Sequence, residues 1–132
     1  MNYARWIVTI VAALSVGTAC ADDPLGGSAR AGTVSLRLTT PHADDGAMLF
    51  DVSGPPIDSV TASNASLQLF TRRAGSTIGG AVVGIVANGA LVTLHVPDVR
   101  AAAGYTARVL EVADRQDALR ASLAGYALTV VP

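Results

Sequence analysis

The sequence predicts an all-β domain, an antiparallel β-sandwich of about eight short strands. Apolar and polar residues alternate in segment 33–39, where Val34, Leu36 and Leu38 are separated by polar side chains. This pattern is typical of a strand with one buried and one solvent-exposed face. Further short apolar runs follow at regular spacing, divided by clusters of Pro, Gly, Asn and Asp. Because 51% of the residues are hydrophobic and only 14% charged, disorder is excluded for most of the chain.

Residues 1–19 have the three-part layout of a secretory signal peptide. A short leading segment with one positive side chain, Arg5, precedes a compact apolar run at 6–16 that ends in small residues. The run is shorter than the roughly 20 apolar residues of a membrane-spanning helix, which disfavours a retained anchor helix. We therefore expect residues 1–19 to be removed on export.

The single cysteine of the chain, Cys20, directly follows Ala19 and other small residues. This pattern resembles the lipobox of bacterial lipoproteins, in which a Cys preceded by small residues becomes the lipidated N-terminus. Gly17 stands where the family usually has Leu. The resemblance implies a lipid on Cys20 and attachment to a membrane. A competing site of the A-x-A type spans residues 19–21 and would place the mature N-terminus at Asp22.

The same resemblance gives an expected location and partners. Ala21 follows the cysteine where some bacteria read Asp as an inner-membrane retention signal, so we expect an exported protein at the outer membrane or cell surface. Its partners would be the membrane, through the lipid, and a possible envelope or extracellular protein. One cysteine cannot form an intramolecular disulfide, so the domain must rely on its hydrophobic core.

Residues 20–32 form the predicted tether, since they are polar, rich in Gly and without period. Residues 33–132 form the predicted sandwich. After the strand at 33–39, further strands are expected at 47–53, 57–62 and 66–72. Turns at 41–46, 54–56 and 63–65 separate them, because Pro, Gly and Asn end a strand ladder.

Segment 79–96 predicts a central hairpin. Two runs rich in β-branched residues flank Asn88-Gly89, the pair best suited to a two-residue type I′ turn with positive φ at both positions. The expected register directs one face of this ribbon into the core. Its main inward positions are Val83, Ile85, Val92 and Leu94.

The last third of the chain is less regular. Residues 99–104 are expected to connect strands through one helical turn, and 125–131 to form a strand. Between them, 105–124 fits helical spacing in part, but strand, turn, strand is favoured because a helix would leave the final strand without a defined partner. The whole predicted core is Val34, Leu36, Leu38, Phe50, Val52, Leu67, Leu69, Val83, Ile85, Val92, Leu94, Leu128 and Val130, and Phe70 is also expected inside.

This layout is loosely similar to the cohesin-like and immunoglobulin-like modules of exported bacterial proteins. No residue motif of either family accompanies it, so the similarity implies a fold and no activity. All nine basic residues are Arg and the net charge is −1. Nucleic-acid binding is therefore not expected, because nothing attracts the phosphate backbone.

The two histidines, His42 and His95, are the candidates for catalysis. His42 lies in a predicted turn and His95 on the outer face of its strand, and neither accompanies a nucleophile motif. A small hydrolase that uses one of them is one alternative function. The leading hypothesis is a non-catalytic, cofactor-free binding or structural module on the cell envelope.

The acidic residues near the first turn suggest a second alternative, a calcium-stabilised adhesion domain. Asp44 and Asp45 are the candidate ligands, with Asp51 and Asp58 nearby in sequence, and Ca²⁺ prefers six to eight oxygen ligands. Their spacing lacks the D-x-D-x-D-G pattern, and Asp-Asp-Gly is ordinary turn chemistry. Turn formation is therefore the favoured interpretation.

Overall fold

The computed structural model describes residues 27–132, which form a sandwich of two four-stranded antiparallel sheets. The all-β sandwich of eight strands is thus confirmed. A 3-10 helix, Val99–Gly104, occupies the predicted helical connection. The strands are β1 Gly32–Thr39, β2 Asp45–Ser53, β3 Ser59–Ala62, β4 Leu67–Ala74, β5 Thr77–Gly84, β6 Gly89–Val96, β7 Thr106–Asp114 and β8 Ala127–Val131.

The first sheet has the strand order β3-β6-β1-β8, and the second has β4-β5-β2-β7. Alternation along β1 directs Val34, Leu36 and Leu38 inward, where each is at most 2% exposed. On β2 the inward residues Phe50 and Val52 oppose them from the second sheet and are fully buried. The core therefore consists of the inner faces of both sheets.

Most of the predicted core is buried, and three positions are wrong. Val83, Ile85 and Phe70 are 41%, 58% and 60% exposed. Leu69 and Val130 are half-buried and pack against the core. The positions confirmed as buried are Val34, Leu36, Leu38, Phe50, Val52, Leu67, Val92, Leu94 and Leu128.

The predicted hairpin at Asn88-Gly89 is wrong, because β5 and β6 belong to different sheets. β5 pairs with β4 and β2, whereas β6 pairs with β1 and β3. Asn88 does not adopt the positive φ that a type I′ turn needs at both positions. Its side chain instead accepts a 2.7 Å hydrogen bond from the Thr40 amide, which ties the crossing segment to the end of β1.

The expected face is wrong for Val83 and Ile85 alike, because both point outward from the second sheet. β5 ends at Gly84, whose φ of +138° is one that glycine adopts readily. A Cβ there would lie 2.5 Å from the Ser66 carbonyl oxygen. Beyond this bend Val86 is fully buried and Ile85 faces outward. Even-numbered positions face inward on both sides of Gly84, with Val82 and Val86 fully buried, so the alternation expected across 83–87 has the opposite phase.

The region 105–124 is strand and turn, as favoured, and the helix alternative is excluded. β7 runs to Asp114, and an isolated bridge joins Ala113 to Leu119. The final strand β8 pairs with β1 in the other sheet, so the assumption that it needs a partner within 105–124 is wrong. Within residues 27–132, no helix is long and apolar enough to cross a membrane.

Candidate functional site

The two histidines lie near opposite ends of the first sheet. His95 pairs with Thr33 near the start of β1, whereas His42 follows the end of β1 by three residues. The strand between them spans about 20 Å, so they cannot act together. His95 Nε2 lies 3.3 Å from Thr61 Oγ1, and the His42 ring lies 5.9 Å from the Tyr126 ring. Neither contact resembles a nucleophile held by a base and an orienting carboxylate.

The two acidic candidates come together around an arginine that the sequence did not single out. Asp45, at the start of β2, is fully buried, and its Oδ1 accepts hydrogen bonds from Arg120 Nε at 3.0 Å and Nη2 at 2.8 Å. Thr40 Oγ1 donates to Asp45 Oδ2 at 2.6 Å, and the Tyr126 hydroxyl lies 2.9 and 3.0 Å from the two carboxylate oxygens. Asp44 Oδ1 accepts from Arg120 Nη2 at 2.5 Å. We call these five residues the Asp45 cluster.

The electrostatics of the Asp45 cluster favour the ion pair. Burial raises the pKa of Asp45, but hydrogen bonds from Thr40, Arg120 and Tyr126 outweigh it, and the net pKa lies below the ordinary 3.8. The hydrogen bond from Arg120 likewise lowers the pKa of Asp44, and the two carboxylates raise the pKa of Arg120. The carboxylates are thus held ionised by an arginine that stays charged.

The Asp45 cluster fastens segment 115–126 to the loop between β1 and β2. Arg120 also donates its amide to the Val112 carbonyl at 2.8 Å, and the Arg115 amide donates to the Asp44 carbonyl at 2.9 Å. Every buried polar side-chain atom in the described part of the chain has a partner. The arrangement therefore performs a structural task, since it anchors a long irregular segment that has little core of its own.

The same contacts leave no donor set for calcium. Arg120 donates to Oδ1 of both Asp44 and Asp45, and Thr40 donates to the other oxygen of Asp45. Asp51 pairs with Arg108 at 2.6 Å elsewhere on β2. Within residues 27–132, no three His, Cys, Asp or Glu side chains converge in a way that could hold a metal ion. Asp44 and Asp45 are neighbours in space, but the geometry favours ion pairing over coordination.

The most distinctive surface is the outer face of the second sheet. Its middle is made of outward side chains from all four strands, and several are large and well exposed, with Leu49 at 41%, Phe70 at 60% and Leu110 at 45%. Leu110 is the extra residue of a bulge in β7, because Leu49 pairs with Glu111 and Phe50 with Val109. The residues that we call the apolar face are Ala47, Leu49, Phe70, Gly79, Ala81, Val83 and Leu110.

The apolar face is hollow at its centre. On β5, Ala81 lies between Phe70 on β4 and Leu49 on β2, and the next outward residue, Gly79, lies between Arg72 and Asp51. The surface therefore dips between larger side chains. A second shallow hollow lies beside Ala47 and Val83 and is bordered by Leu119, which is 67% exposed. Such continuous apolar surface is uncommon on a soluble domain and marks interaction sites.

The outer face of the first sheet provides an internal comparison. Outward positions of β1 are Thr33, Ser35 and Arg37, and their neighbours on the adjacent strands include Thr93 and Thr129. The first sheet presents one large apolar side chain outward, Val131 at 36% exposure, whereas Leu49, Phe70 and Leu110 are exposed together on the second sheet. The apolar face is therefore a local feature and not a consequence of the hydrophobic composition.

The sequence carried a signal for this face that the alternation rule missed. Residues 47–50 and 81–83 are uninterrupted apolar runs, and such runs are typical of strands covered on both sides. Phe70, which is expected inside, is instead 60% exposed on this face. The predicted lipidation site Cys20 lies outside the described residues. Comparisons with protein-family models, with curated proteins and with solved structures give no match to this chain.

Proposed function

We propose that this chain is an exported, lipid-anchored module of the cell envelope that acts by binding and not by catalysis. The observation that carries the proposal is the apolar face, on which the large side chains Leu49, Phe70 and Leu110 are exposed together. The signal-peptide pattern and the lipobox resemblance at Cys20 support export and anchoring. The β-sandwich is the scaffold that holds the binding surface rigid, since four hydrogen-bonded strands supply its side chains.

The exposure of the apolar face is the physical reason for a binding function. A folded domain in water gains about 25 cal/mol for each Å² of apolar surface it removes from solvent. Leu49, Phe70 and Leu110 together leave such surface uncovered, and a partner that covers it recovers that free energy. The charged side chains at the border, among them Arg72 and Glu111, would form the polar rim of such an interface.

The anchoring part of the proposal is tested by the variant Cys20→Ser in the full-length chain. We expect the variant to appear in the soluble fraction, or to stall before processing, because it lacks the thiol that takes the lipid. Ala21→Ser, which keeps the cysteine, is the matched control and should stay with the membrane. Mass spectrometry of the mature N-terminus gives a second readout, with lipidated Cys20 expected at the first position.

Two results would contradict the anchor. One is a mature wild-type protein that begins at Asp22, as the competing A-x-A site would produce. The other is a Cys20→Ser variant that is processed and remains membrane-bound to the same extent as the wild type. Neither result bears on the apolar face, so the binding proposal has its own experiment below.

A further inference from the structure

The partner of the apolar face can be inferred from the face itself. Phe70 projects from β4 with 60% of its surface exposed, and the hollow beside it is floored by Gly79 and Ala81. The apolar face thus carries both a projecting apolar side chain and an apolar hollow that could receive one. In a symmetric pair, each copy supplies the side chain that fills the hollow of the other.

The charged side chains around the apolar face are compatible with a second copy of the chain as the partner. Two are positive, Arg72 and Arg108, and two are negative, Asp51 and Glu111. A border with equal numbers of both signs does not repel a copy of itself. It is a poor match for an anionic lipid surface, which attracts a border of basic residues alone.

The area of the outer face limits how strongly two copies can bind each other. The whole outer face of the second sheet, four strands of about eight residues, covers roughly 500 Å², so a pair of copies stacked over this sheet buries at most about 1,000 Å² in total, at the lower limit for specific association. Such an interface is weak in solution. Two copies anchored in one membrane are held at high local concentration, which raises the fraction that is paired without any new contact.

We propose that the apolar face binds the apolar face of a second copy of this chain, forming a symmetric face-to-face dimer on the membrane. This inference rests on the proposed function, since anchoring concentrates the chains. The second sheets of the two copies stack in the dimer, about 10 Å apart. Their continuous apolar runs are then covered on both sides, as the sequence pattern of 47–50 and 81–83 indicates.

Cysteine cross-linking in vesicles tests the dimer. The chain has one cysteine, which the lipid would block, so an introduced cysteine is the only free thiol of the full-length lipidated protein. Leu49→Cys places it on the apolar face, and Thr33→Cys places it on the outer face of the first sheet as the control. With a short bismaleimide, we expect Leu49→Cys to give a cross-linked dimer and Thr33→Cys to give at least about tenfold less.

A second substitution shows whether the face causes the cross-link. A Cβ at Gly79 would lie 4.0 Å from its nearest neighbour, the Arg72 carbonyl oxygen, so Gly79→Glu fits the single chain but places a charge in the hollow. Added to Leu49→Cys, it should reduce cross-linking at least about tenfold. Thr33→Glu makes the same charge change on the other face and should leave the cross-link unchanged.

Equal cross-linking of Leu49→Cys and Thr33→Cys, or no effect of Gly79→Glu, would overturn the dimer. If Leu49→Cys instead fails to cross-link, and the Cys20→Ser protein binds anionic vesicles in a way that Gly79→Glu abolishes, the occupant is lipid and the dimer is likewise wrong. Vesicle flotation measures attachment separately, so failure of the anchor is distinguishable from failure of self-association.

Discussion

At the scale of single residues, Asp45 is the polar side chain on which the fold depends most. It is the only charged residue among the buried side chains of the described chain, and it receives hydrogen bonds from three side chains, those of Thr40, Arg120 and Tyr126. An ionised carboxylate in such a position is stable only because each lone pair has a donor.

Replacing Asp45 by Asn should therefore lower the free energy of unfolding by about 2–3 kcal/mol, because Arg120 loses its buried partner. Asp51→Asn is the matched control, since Asp51 is also on β2 and pairs with an arginine, Arg108, whose side chain is 67% exposed. That change should cost less than about 1 kcal/mol. Urea denaturation of both variants checks the difference, and equal losses would contradict a structural role for the Asp45 cluster.

At the scale of elements, the crossing between β5 and β6 decides which side chains enter the core. Val82 and Val86 are fully buried on either side of the bend at Gly84, whereas Val83 and Ile85 face solvent. A hairpin at Asn88-Gly89 would have had the opposite arrangement. Val86 and Ile85 therefore distinguish the sandwich crossing from the hairpin by their effects on stability.

Val86→Ala should lower the free energy of unfolding by about 1.5–3 kcal/mol, because it removes two fully buried methyl groups and leaves a cavity. Ile85→Ala deletes more atoms but should cost less than about 0.5 kcal/mol, since the side chain is 58% exposed. Thermal or urea denaturation measures both. A larger loss for Ile85→Ala than for Val86→Ala would mean that Ile85 faces the core, as the hairpin register requires.

At the scale of the whole molecule, acid stability reflects the paired carboxylates together. Hydrogen bonds from arginines lower the pKa of Asp44 and of Asp98, and the donors around Asp45 outweigh the effect of burial and lower its pKa also. Because these groups bind protons less readily in the folded chain than in the unfolded one, their contribution is complete above the ordinary pKa. It is lost as the pH falls below about 5 and through the folded-state values.

The urea concentration at the unfolding midpoint should therefore decrease when the pH is lowered from 7 to 3. In Arg120→Ala this fall should be smaller, because the variant removes the hydrogen bonds that lower the pKa values of Asp44 and Asp45. Arg108→Ala leaves both of those carboxylates untouched and should keep the wild-type acid response. The same fall in all three proteins would show that Arg120 does not set the acid dependence.

The sequence by itself determined the fold class, most strand positions and the inward face of β1, because alternation of apolar residues depends only on neighbours along the chain. It also singled out Asp44 and Asp45 as candidate calcium ligands. Only the tertiary structure decided that Arg120, 75 residues beyond Asp45, is their partner, since no local pattern records so distant a contact.

The strand pairing and the exposure of the apolar face also depend on distant contacts, which the local sequence pattern does not record. Asn88-Gly89 has the composition of a hairpin turn, but the chain uses it to cross between sheets, because β5 finds its partners in β4 and β2. Phe70 has the composition of a core residue and lies outside. Composition indicates that a side chain prefers an apolar contact. Only the packing of the two sheets determines whether the domain itself supplies that contact or leaves it to a partner.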